Sequence, residues 1–185
     1  MNWEDIQREI DSCQDCIRIG GELIAEKYEA PKRPPAINQH PILFISEAPP
    51  KNGGFWNPAI QDDLRKNLFE ILLACNVSLS PNDHSQTSLT DFCERGLFLI
   101  QALKWPLKKS ARNLRPNERK LIEHTCETHL VQEFQALQPL AIICLGRVAS
   151  YACSLCFPKS EFKFLGLLQS EWVIWGHFRS PVACT

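Results

Sequence analysis

Two of the nine cysteines stand as Cys13-x-x-Cys16 and two more as Cys153-x-x-Cys156. An odd count does not suit a disulfide framework. In a reducing compartment a close pair is more often a metal or cluster ligand than a bridge. Cys153 and Cys156 lie within an apolar helical pattern, where packing is the default for a thiol. His124 and His129 flank Cys126, and zinc accepts mixed thiolate and imidazole ligands. A second concentration of chemistry lies at residues 104–120, where Lys104, Lys108, Lys109, Arg112, Arg115, Arg119 and Lys120 face the single acid Glu118. That density holds phosphates if the segment faces a ligand, and otherwise it is a solvated loop. The formal net charge of -1 excludes a protein that is basic all over, so any such field is local.

Apolar spacing says which elements position these residues. Residues 2–12 read as a first helix. Ile42, Leu43, Phe44 and Ile45 form a run too short for a buried helix and read as a central strand. From Asp62, an apolar stripe of Leu64, Leu68, Ile71, Leu72 and Cys75 predicts a helix with an acidic start. Residues 76–90 are polar and read as an irregular surface connection. A second strand is expected at 97–103. Pro116 and Glu118 open a helix with the face Ile122, Cys126, Leu130, Phe134 and Leu137, which Pro139 closes. A third strand at 140–145 turns at Gly146 into a helix carrying Val148, Ala149, Ala152 and Leu155, and 172–175 reads as a fourth strand.

This alternation predicts a single α/β domain over residues 1–185 with a mainly parallel sheet. With 44% apolar and 22% charged residues the chain can bury a core without disulfide staples. No apolar run approaches the roughly 20 residues that span a bilayer, and the acidic, amphipathic first residues make the cytoplasm the expected compartment. Internal repeats, Walker loops, GxGxxG and GxSxG are all missing from the sequence. Right-handed crossovers would gather the loops 47–57, 104–115, 146–147 and the residues from Gly176 on at one edge of the sheet, where α/β proteins bind ligands.

The residues that fall in these loops resemble the uracil-DNA glycosylase superfamily, most closely the iron–sulfur branch of bacterial and archaeal enzymes called family 4. The likeness runs from Cys13 to about Pro181. The early CxxC pair precedes a strand that leads into Ser46, Glu47, Ala48, Pro49 and Pro50, similar to the family's GEAPG loop. Gly54, Phe55, Trp56 and Asn57 look like its Gly-x-Pro-Phe element. Residues Ile100 to Trp105 resemble a TNVVKC-like strand end, and Cys126, Pro139 and Leu145-Gly146-Arg147-Val148-Ala149 follow in the family's order. His177, Phe178, Arg179, Ser180 and Pro181 form a distorted version of its His-Pro motif.

The resemblance implies a three-layer α/β/α sandwich around a mainly parallel four-stranded sheet, and hydrolysis of the N-glycosidic bond of uracil or a related damaged base in DNA. Such an enzyme extrudes the base, stacks it, reads its edge, and stabilises an oxocarbenium-like state and the departing base anion. On that reading Glu47 and His177 are catalytic, and Ala48, Pro49, Phe55 (or Trp56 in its place), Gln101 and Ser180 bind the substrate. Lys104, Lys108, Lys109, Arg112 and Arg179 hold nucleic-acid phosphates. Gln101 stands where the family has Asn, which changes the depth of the pocket. The family's cluster takes four cysteines. Cys13, Cys16 and Cys126 match three of them, while Trp105 occupies the fourth position and cannot ligate iron. An iron–sulfur cluster and zinc therefore remain alternatives to a metal-free thiol cluster, which is the expectation. The competing expectation is a family member that keeps the fold and binds nucleic acid or a protein without catalysis. DNA is the expected partner and a membrane is not. Because family members usually add a C-terminal helix, the resemblance leaves two alternatives, a sheet face thinly covered or one covered by a second copy of the chain in a homodimer.

Overall fold

The computed structural model describes residues 2–25, 40–51, 54–79, 86–111, 113–157, 163–165 and 172–176. Over them the chain is an α/β protein. Helices α1 (Trp3–Ser12) and α2 (Gln14–Gly20) are followed by β1 (Ile42–Ser46), α3 (Asp63–Ala74), α4 (Gln86–Glu94) and β2 (Leu97–Gln101). Next come α5 (Pro116–Thr125), a π-helical turn (Cys126–Leu130) and α6 (Val131–Leu137), then β3 (Ala141–Leu145), α7 (Arg147–Cys156), β4 (Lys163–Leu165) and β5 (Trp172–Gly176).

Local chemistry explains several boundaries. Asn2 caps α1 by accepting the Asp5 N–H at 2.8 Å, and Asp62 caps α3 by accepting the Arg65 N–H at 2.8 Å, each satisfying a donor the helix leaves over. Pro116 opens α5, and the Glu118 carboxylate reaches back to the Arg115 N–H at 2.7 Å. The α5, π and α6 segments run on without a break until Gln138 adopts a left-handed conformation. The single long helix expected from 116 to Pro139 is therefore present, with one loosened turn inside it. At Gly146 a φ of 96° starts α7, a conformation that side chains disfavour.

The sheet has five strands in the order β2-β1-β3-β5-β4. Strands β2, β1 and β3 are parallel, with Ser46 paired to Gln101 and Ile45 to both Ile100 and Cys144. Helices cover both faces of these strands. On one face Phe98 meets Trp3 of α1 and Cys144 meets Cys153 of α7; on the other Phe44 meets Phe92 of α4, which stacks on Phe69 of α3. Two expectations need correction. Strand β5 runs antiparallel to β3, with Gly176 opposite Ala141, and a short β4 pairs with its other edge. In addition, α4 occupies part of the span expected to be irregular, because Leu89 and Phe92 bury themselves one helical turn apart. Among the described residues no helix is long and apolar enough to cross a membrane.

Candidate functional site

The carboxyl ends of β1 and β2 lie side by side, and Glu47 ties them together. Its backbone carbonyl accepts the Leu103 N–H at 2.8 Å, just beyond the Ala102 N–H to Ser46 O bond of equal length. Its carboxylate accepts the Ser110 hydroxyl at 2.8 Å and the Ala111 N–H. Charged acceptors of this kind make bonds about twice as strong as neutral ones. On its far side the same segment pairs with the residues after α2: Ala25 N–H donates to Pro106 O, and Lys108 N–H to Leu23 O, both at 2.9 Å. Residues 106–111 are thus clamped from two sides, while Lys108 and Lys109 project into solvent. An open hollow of about 340 Å³ adjoins them, lined by Ile17, Ile24, Trp105 and Lys108 among others.

Lys104 does not belong to that basic surface. It is buried, and its ammonium donates to the Gln101 carbonyl and to the Glu133 carboxylate of α6. Gln7 of α1 donates to the other Glu133 oxygen at 3.3 Å. The expectation that Lys104 grips phosphate is overturned, since a cation with 5% of its side chain exposed and an internal counterion cannot reach a backbone phosphate. Gln101 borders the same place. With Trp3, Gln7, Trp56, Lys104 and Glu133 it lines a cavity of about 30 Å³, room for roughly two waters and far too small for a nucleobase.

The aromatic pair after β1 also turns inward. Phe55 is 1% exposed and packs against Trp56, Phe69 and Phe92 at 4.9, 6.1 and 5.3 Å between ring centroids. Trp56 donates its indole N–H to Leu99 O at 3.1 Å, covering edge strand β2. Arg65, itself 1% exposed, holds this arrangement by donating to the carbonyls of Phe55 at 2.7 Å, Asn57 at 3.2 Å and Ile60. Gly54 is required beside it. Its φ is 58°, and a Cβ there would sit 2.4 Å from the Pro50 ring. The stacking role expected of Phe55 is overturned, because the ring is buried among three others. Ala48 is half-buried and Pro49 buried at the foot of the same loop.

His177, Arg179, Ser180 and Arg112 lie outside the described residues. The shared edge expected of Gly176 itself is corrected by β5. Gly176 pairs with Ala141, at the end of β3 opposite to Leu145, and so lies at the rim away from Glu47 and Gln101.

The thiols sort into separate groups. The Cys13 and Cys16 sulfurs lie 3.4 Å apart, and one ring nitrogen of His129 completes a set of donors all within 4.8 Å of one another. Burial, together with the hydrogen bond and charge of Cys13, pushes the Cys16 thiol up to about 12, while Thr125 and Trp105 act the other way. Burial, with the nearby charges of Lys104 and His124, holds His129 down to about 4, so its imidazole is neutral. Cys126 does not join them. Its sulfur faces α7, 3.4 Å from Ala152 O, and its thiol is pushed up by a hydrogen bond with Cys156 and by burial. The donors therefore do not suit the four-thiolate cluster that the resemblance implies: one expected cysteine points elsewhere, and the fourth position is an indole. Sequence reasoning paired His129 with Cys126. It did not foresee the π turn, closed by Val131 N–H to Cys126 O, whose extra residue rotates the remainder of the helix by about 100°. Nor did it find Glu133, although an acid beside the buried Phe134 was a visible signal.

Compared with models of known protein families, with curated proteins and with solved structures, the chain matches none. Fold and site together define an α/β protein with a clamped, cation-bearing segment at the carboxyl edge of its parallel strands.

Proposed function

We propose that the chain is a uracil-DNA glycosylase-like domain that binds single-stranded nucleic acid at the carboxyl edge of β1 and β2 and does not excise bases. The observation that carries this reading is the clamp around Glu47. It fixes a segment bearing Lys108 and Lys109 beside a hollow with an apolar wall that includes Trp105. Fixed cations that neutralise phosphates, next to a surface that accepts bases, are the ordinary means of holding a single strand. Strand order β2-β1-β3 and helices on both faces support the family resemblance. Three observations speak for binding over excision. Phe55 is enclosed by other rings, the cavity at Gln101 is too small for a base, and β5 leads toward the opposite rim.

A second reading, hydrolysis of uracil or a related damaged base, is favoured by one fact: the Glu47 carboxylate directly follows Ser46, the residue paired with Gln101. One pair of assays separates the two. A labelled uracil-containing single strand is titrated at several salt concentrations, and the same strand is assayed for alkali-labile abasic sites. The expected result is binding whose log affinity falls linearly with log salt, with a slope reduced by about 1.4 in the double variant Lys108→Ala/Lys109→Ala, and no abasic sites. Binding indifferent to salt and to those lysines would sink the proposal. Excision that disappears in Glu47→Ala would establish the second reading instead.

A further inference from the structure

We propose that Cys13, Cys16 and His129 form a mononuclear zinc site whose fourth position is open to water. Three donors from two separate parts of the chain converge, all within 4.8 Å of one another. A tetrahedral ion with Zn–S near 2.3 Å needs its sulfurs roughly 3.8 Å apart, and the two thiols stand at 3.4 Å, so a small adjustment admits it. His129 supplies the independent observation. It is 4% exposed, yet among the described residues neither ring nitrogen has a hydrogen-bond partner. Leaving such groups unpaired is costly, and buried imidazoles otherwise find one. A metal ion satisfies the nitrogen that faces the thiols.

The charge balance also suits a buried place. Uptake of Zn²⁺ releases one proton from each thiol, and two thiolates with a neutral imidazole leave the site uncharged. Cys13 is half-buried while Cys16 is buried, so the donor set is reached from solvent on the Cys13 side. Cys126 takes no part, which distinguishes this site from the thiolate set implied by the resemblance. The inference does not depend on nucleic-acid binding.

The test uses the full-length chain, freed of metal by a chelator under reductant and titrated with cobalt(II), then zinc(II). One equivalent of cobalt should give thiolate-to-metal charge transfer and the intense visible bands of a tetrahedral site, and equimolar zinc should bleach both. Two protons should be released for each ion bound. Cys13→Ser and His129→Asn should lose stoichiometric binding, and Cys126→Ser should keep it. Circular dichroism checks that each variant folds. Should a ligand variant fail to fold, zinc-edge X-ray absorption on the unaltered chain decides the matter, with two sulfurs and lighter atoms expected. Four sulfurs, none, no uptake of an equivalent, a brown iron-containing protein, or loss of binding in Cys126→Ser would each overturn the site.

Discussion

Replacing Lys104 by Met should lower the stability of the fold by about 3–5 kcal/mol, because it strands the Glu133 carboxylate away from water. The two side chains are 5% and 4% exposed, so solvent screens neither. Near contact, two unit charges attract by about 4 kcal/mol at an effective dielectric of 20, which matches the cost of losing a single partner. Glu133→Leu should cost a similar amount by stranding the ammonium. The double variant Lys104→Met/Glu133→Leu should lose only roughly 1–2 kcal/mol, since no charge is left behind and the loss is of hydrogen bonds such as those to the Gln101 carbonyl and from the Gln7 amide. Urea unfolding followed by circular dichroism and tryptophan fluorescence measures all three, with a constant m-value checking that the comparison is sound. The reasoning fails if each single variant falls within about 1 kcal/mol of the parent, as an exposed pair would, or if the double variant loses the sum of the two.

Phe55→Ala should remove about 3–5 kcal/mol and lower Tm by about 6–20 °C, with strand affinity at fixed salt unchanged; a folded variant that loses affinity would mean the ring touches the ligand. Glu47→Ala frees Ser110 and Ala111 and should cost about 1.5–3 kcal/mol, with faster hydrogen exchange at the Ala111 amide; unchanged exchange would show that the clamp does not hold the segment. The Cys93 thiol is raised to about 11, by burial and then by Glu94. At pH 8 only about one molecule in a thousand carries its thiolate. Iodoacetamide should therefore modify the exposed Cys75 well before Cys93, as peptide mass spectrometry would reveal, and equal rates would refute the assignment.

Much of the fold is visible in the sequence where one signal dominates. Ile42 to Ile45 reads as a strand, buried from Leu43 on, and Asn2, Asp62 and Pro116 mark the starts of their helices. Strand β5 was legible as a strand but not in direction, because Trp172 to Gly176 reads the same either way and direction is set by pairing with β3. The polar run before Leu89 hid α4, whose existence depends on the tertiary partners of Phe92. The site divides in the same way. Glu47 was found from its place after an apolar run. The inward turn of Phe55 rests on Arg65, ten residues away, and the pairing of His129 with the first cysteines rests on one loosened helical turn. Neither has a local signature.

The guanidinium of Arg65 has a further consequence. Three carbonyls share one rigid fork, and a lysine's compact ammonium could not serve all of them in the same geometry. For either aromatic ring to swing toward a visiting base, those oxygens would have to surrender their donors at once. The turn is therefore set before any partner arrives: no ordering entropy is lost there on association, and no affinity for a base originates there.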